Sequence, residues 1–163
     1  LKTLWLEYNL TDVDLIDYFL AKDKKFAIDA IKKSVKKSEV YFSNTKALDY
    51  MIKTLNINNV NLIDYFANGI KKSEVITFEV YMHNLDLIDI QNKKIINAMK
   101  QRLSKDTNQH VLFPLYENLM KLNDESINEF LVETYKKNKD SYTSWTIPEF
   151  EKLLEPILKE RKK

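Results

Sequence analysis

Glu79 and His83 stand four residues apart, the spacing that sets a carboxylate and an imidazole on one face of a helix. That pair is the nearest this chain comes to acid–base or metal chemistry. His110 is the only other histidine, and neither has a second ligand within a turn or two, as a zinc site needs. Asp12, Asp14 and Asp17, and separately Asp86 and Asp89, lack the glycine and closing glutamate of a calcium loop; acids at helix starts explain them. The single glycine, Gly69, leaves no phosphate-cradling loop, and no serine sits in a Gly-x-Ser-x-Gly elbow. Without cysteine there is no disulfide, no thiolate metal site and no cysteine nucleophile. The expectation is a non-enzyme with no catalytic residues, no metal and no cofactor.

The lysines offer binding chemistry instead. Lys32, Lys33, Lys36 and Lys37, joined by Lys71 and Lys72, form one basic edge if the segments carrying them stack, with Tyr41 beside it. Only Arg102 and Arg161 supply guanidinium groups, so nucleic-acid binding by this edge would be non-specific. The plainer reading makes both Lys-Lys-Ser-Glu phrases solvated turns, with Ser38 and Ser73 as N-caps and Glu39 and Glu74 opening the next helix. Trp145, in a polar run from Ser141 to Ser144, is either an end cap of the core, like Trp5, or an interface anchor. Charge is unevenly spread. Residues 1–23 hold two lysines against five acids, and residues 24–39 six lysines against Asp29 and Glu39. Residues 152–163 carry five basic groups against Glu155 and Glu160. These regions can pack on one another or meet an acidic partner.

The elements that position these residues are helical. One glycine and three prolines in 163 residues cannot furnish the turns of a sheet protein. Amphipathic runs recur, including Val13–Leu20, Phe26–Val35, Leu48–Leu55, Val60–Ile70, Ile95–Leu103, Leu115–Met120 and Phe150–Leu158. Thr11 reads as an N-cap and Gly69 as a helix terminator. Thr146-Ile147-Pro148-Glu149 reads as a capping box, and Pro156 should kink or split the helix that follows. Residues 75–82 alternate like a strand but also carry helical spacing. Helix is preferred, with a small two-stranded element against Val40-Tyr41-Phe42 as the alternative.

Two phrases recur in alternation at unequal intervals. Leu15-Ile16-Asp17-Tyr18-Phe19 returns as residues 62–66, clipped again at Leu87–Ile90, and Lys36-Lys37-Ser38-Glu39-Val40 returns as residues 71–75. Ile16, Phe19, Ile63 and Phe66 are expected in the core, with the Asp and Tyr of each copy at its edge. The whole is expected to be one all-α domain, residues 1–163, an irregular stack of about eight or nine short helices.

Phe26–Ile31, a short basic turn and Ala47–Lys53 together resemble consecutive helices of α-α superhelical modules such as HEAT and armadillo repeats. That resemblance implies a protein-binding scaffold. The expected function is therefore a scaffold, adaptor or inhibitor that holds another protein, one with an acidic surface, in an inter-helix groove and along the basic edge. The contact residues are Lys32, Lys33, Lys36, Lys37, Lys71, Lys72, Tyr41 and Trp145. The alternative is non-specific binding of nucleic acid or anionic lipid by the same lysines and the basic C-terminus. No apolar run approaches the roughly 20 residues of a membrane span. The lack of cysteine fits a reducing, cytoplasmic setting, and the start at Leu1 leaves room for a trimmed leader.

Overall fold

The protein, as a computed structural model, is described over residues 13–37 and 60–160. Thr11, Ser38, Glu39, Tyr41, Phe42, Trp5 and the stretch 48–55 lie outside the described residues. All regular structure among those described is helical, with no strand. The backbone groups into two compact units, Leu1–Ala98 and Met99–Lys163.

In the first unit, helices α1 (Val13–Lys22), α2 (Lys24–Lys37), α3 (Val60–Lys72) and α4 (Val75–His83) pack each on the next. Their inward residues keep helical spacing: Ile16 and Phe19 in α1, Ala27 and Ala30 in α2, Leu62, Ile63, Phe66 and Ile70 in α3, all buried. Asp23 makes the first corner. Its amide donates to the Phe19 carbonyl, closing α1, and its carboxylate accepts the Phe26 amide at 3.1 Å, capping α2.

Gly69 does not end its helix, because α3 continues to Lys72. The missing Cβ serves packing instead. One built on Gly69 would clash with Cζ and both Cε atoms of the Tyr81 ring of α4. Ser73 is also placed otherwise than expected, since the N-cap position of α4 belongs to Glu74, in extended backbone. The buried Ser73 hydroxyl donates to the Gly69 carbonyl at 2.6 Å, which also accepts the Ser73 amide at 2.9 Å, closing α3. Residues 75–82 settle as helix α4, whose strand-like alternation reflects apolar residues on both its faces. At its far end buried Asn84 donates to the Val80 carbonyl at 2.8 Å. The third copy of the repeated phrase is no helix. Leu87 closes the 3-10 turn Leu85–Leu87, and Asp89 accepts the Gln91 amide in a side-chain turn. Asn92 then caps α5 (Lys93–Leu103) through the Lys94 amide.

In the second unit, Arg102 near the end of α5 holds Asp106 at 2.7 Å in a sheltered ion pair. Asn108 caps α6 (Gln109–Met120), which runs through Pro114. Asn123 takes a positive φ of 49°, turning the chain so that Asp124 can cap α7 (Glu125–Asn138). Hydrogen bonds from Ser126 and the Ile127 amide hold the Asp124 carboxyl below its ordinary pKa. A 3-10 turn, Lys139–Ser141, leads to α8 (Thr146–Glu160). Phe150 of α8 is fully buried, with Phe113 stacked on it at 4.3 Å and Tyr142 at 4.9 Å. Tyr116 meets it edge-on at 5.1 Å.

In place of the capping box expected at Thr146, the helix opens from a turn that starts at Thr143. The Thr143 carbonyl accepts both the Ile147 amide and the Thr146 hydroxyl, so Thr146 is already helical. Pro148 does lie in the first turn, and α8 passes Pro156 without splitting.

Burial of Tyr65 and Tyr116 raises both phenols far above their ordinary value of 10.0, with Tyr81 and Tyr142 adding to the effect. Below pH 10 both states of the chain keep these protons, and the stability is fully present. Above it the unfolded chain releases them while the folded chain does not. Each phenol then removes about 1.4 kcal/mol of stability per pH unit. An alkaline titration should show these two ionising only together with loss of the helical circular dichroism signal. Ionisation of every tyrosine by about pH 12 with the helices intact would contradict their burial.

Candidate functional site

The expected basic edge divides. The backbone of α2 is described through Lys37 and its side chains as far as Ala30, so Lys32, Lys33, Lys36 and Lys37 are placed on the last turns of that helix and no further. Lys71 and Lys72 form the last turn of α3, Lys71 half-buried and Lys72 exposed. There they meet the negative end of the helix dipole, which favours basic residues at that position. Tyr41 lies outside the described residues.

What sequence reasoning missed stands just past Lys72. Helix α4 sends Phe78, Tyr81 and Met82 into the core. Its other side carries Ile76, Glu79, Val80 and His83, at the i, i+3, i+4, i+7 spacing of one helix face. Ile76 is 82 % exposed, and Val80 is half-buried beside it. The signal was present in the segment Val75–Met82, whose apolar residues exceed what one buried face can absorb. His83 does not pair with the Glu79 carboxylate through this geometry. Its Nδ1 lies 2.9 Å from the Glu79 backbone carbonyl, a contact within the helix.

The two copies of the Leu-Ile-Asp-Tyr-Phe phrase part company. Ile16, Phe19, Ile63 and Phe66 are buried as expected. Tyr65 is not at a core edge: it is 1 % exposed under Tyr81, while Tyr18 is 48 % exposed. Asp64 pairs with Lys94 at 2.6 Å on the surface, a bridge of small energetic weight.

Trp145, in the second unit, is 58 % exposed in the turn before α8. It is therefore no end cap of the core, and an indole so placed is available to a partner. Behind it, Lys139 reaches Glu151 at 2.7 Å and Tyr135 donates to the same carboxylate at 3.1 Å, tying the end of α7 to α8. The Lys139 ammonium lowers the Glu151 pKa, with Tyr135 assisting.

Among the described residues no three of His, Cys, Asp and Glu stand together as a metal-holding group, and no helix is long and apolar enough to cross a membrane. Exposed apolar and basic groups among the described residues stand on helices or beside them, as Ile76, Lys72 and Trp145 do. Compared with protein-family models, curated protein sequences and solved structures, the chain gives no match.

Proposed function

We propose that this chain is a non-catalytic helical interaction module that binds an acidic partner protein at the α3–α4 corner. The observation that carries this is Ile76, almost wholly in water on a helix whose other side is core, and only four residues beyond the exposed Lys72. An apolar side chain near a fixed positive charge supports docking of a surface that offers both an apolar patch and a carboxylate. The lysines at the end of α2 extend the same character along the chain, and the HEAT- and armadillo-like style of the helices fits a scaffold, adaptor or inhibitor.

The test compares capture by the wild type and by a Lys72→Glu/Ile76→Asp variant from nuclease-treated host lysate at moderate salt. A protein held by the first should bind the second about tenfold more weakly or worse, with melting temperatures only a few degrees apart, since both positions are exposed and the lost charge–dipole contact at the end of α3 is worth about 1 kcal/mol or less. A Lys36→Glu/Lys37→Glu variant tests the rest of the edge in the same way. Capture that disappears on nuclease treatment would sink this reading and assign the lysines to nucleic acid, with the steep salt dependence such binding has.

A further inference from the structure

The repeated phrase supplies a comparison inside one molecule. In α3 Tyr65 is covered and Asp64, at the surface, is ion-paired. The Tyr81 ring of α4 lies 5.5 Å from the Tyr65 ring, and Lys94 of α5 closes on Asp64 at 2.6 Å. In α1 the matching pair Asp17–Tyr18 is open. Among the described residues, Tyr18, itself exposed, leans edge-on against Phe19 at 5.2 Å, and Asp17 is exposed with no ion-pair partner. Beneath the two pairs Ile and Phe are buried in each copy, while the leading leucine is buried as Leu62 and half-buried as Leu15.

We infer that the outward face of α1, formed by Asp14, Asp17, Tyr18 and Ala21, docks an amphipathic helix of a partner protein, one that presents an aromatic ring to Tyr18 and a lysine or arginine to Asp17. The covered copy shows the chemistry that fills such a face: a ring and an ammonium, both delivered by helices. The open copy carries the matching charge. Asp14, Asp17, Tyr18 and Ala21 are all exposed at i, i+3, i+4, i+7, and the small Ala21 leaves room beside the ring. One difference between the copies sets the depth of the contact. Gly69, the seat of Tyr81, corresponds to Lys22 in α1, whose side chain keeps an incoming ring off the helix backbone. The α1 contact is accordingly shallower than that between α3 and α4, as suits a partner that leaves again. This surface is separate from the α3–α4 corner and does not rest on the basic edge.

The probe is a labelled synthetic amphipathic peptide of about 20 residues, long enough to be helical, made of leucine, alanine and lysine with one tyrosine in its apolar stripe. Titrated with the intact protein at low salt, it should bind saturably. Tyr18→Ala should weaken it about fivefold and Asp17→Lys about tenfold, while Asp86→Lys, an exposed acid elsewhere, leaves it unchanged. All three substitutions are at exposed positions, and equal thermal melts confirm that folding is not the cause. The inference is overturned if the wild type does not bind the peptide, if Tyr18→Ala and Asp17→Lys bind it as the wild type does, or if a twin with glutamate for lysine binds equally. Concentration-dependent self-association that Asp17→Lys abolishes would also overturn it, by making a second copy the occupant.

Discussion

Replacing Phe150 with alanine is expected to lower the stability of the second unit by about 3–5 kcal/mol, the range for removing a fully buried aromatic ring. Phe150 has no exposed surface and meets four rings: Phe113, Tyr116, Tyr142 and, at 6.1 Å, Tyr135. These come from α6, α7 and the turn before α8, so one side chain joins every later element of the unit. Truncation removes the transfer free energy of the ring and leaves a hole among rigid neighbours that cannot collapse freely. Edge and stacking terms add about 0.5–1.5 kcal/mol for a good pair. A unit of this size holds about 3–10 kcal/mol in reserve, at roughly 0.05–0.15 kcal/mol per residue, so Phe150→Ala should leave it marginal. Urea unfolding followed by near-ultraviolet circular dichroism, which reports the packed tyrosines, measures the loss. Phe113→Ala should cost clearly less, since Phe113 is only half-buried. A cost below about 1 kcal/mol for Phe150→Ala would mean the rings are not packed as described.

The all-α class was legible because it rests on local terms: scarce glycine, helical spacing of apolar residues and short polar turns. The inward residues of α1 and α3 were legible for the same reason. Tyr18 and Tyr65 were not, because the same four residues surround each of them in sequence. Their different exposure is decided by α4, which lays Tyr81 over one and not the other. Thr146 misled through a different route. Its spacing to Glu149 satisfies the capping-box pattern, but the Thr143 carbonyl, three residues earlier, takes the first helical bonds. The candidate site was half legible. Lysines announce themselves by type, whereas Ile76 looks like any core residue until the other side of α4 is seen to be full. Helical spacing says which residues share a face; it does not say which of two apolar faces the fold will cover.

Gly69→Ala sets local propensity directly against packing, and packing should win. In an exposed helix this substitution stabilises by roughly 1 kcal/mol, because alanine is the better helix former. In α3 the added Cβ would occupy the space of the Tyr81 ring, whose atoms belong to a fixed plane rather than a flexible chain end. Tyr81 is buried and wedged beside Tyr65 and Phe66, at 5.5 Å from each, so the ring cannot swing aside without disturbing both. The helices must separate instead. Overpacking of this kind costs about 1–3 kcal/mol, occasionally more, and the expected net effect is a loss of about 1–2 kcal/mol in the first unit. The distinguishing measurement is a double-mutant cycle. Tyr81→Phe keeps the clashing ring carbons and should leave the cost of Gly69→Ala nearly unchanged. Tyr81→Leu removes the ring, and in that background Gly69→Ala should become neutral or stabilising as helix propensity reasserts itself. If Gly69→Ala stabilises the wild-type protein, the glycine is not a seat for Tyr81 and the close approach of α3 and α4 is wrong. A loss that persists undiminished in the Tyr81→Leu background would place the constraint in the backbone of α3 rather than in the ring.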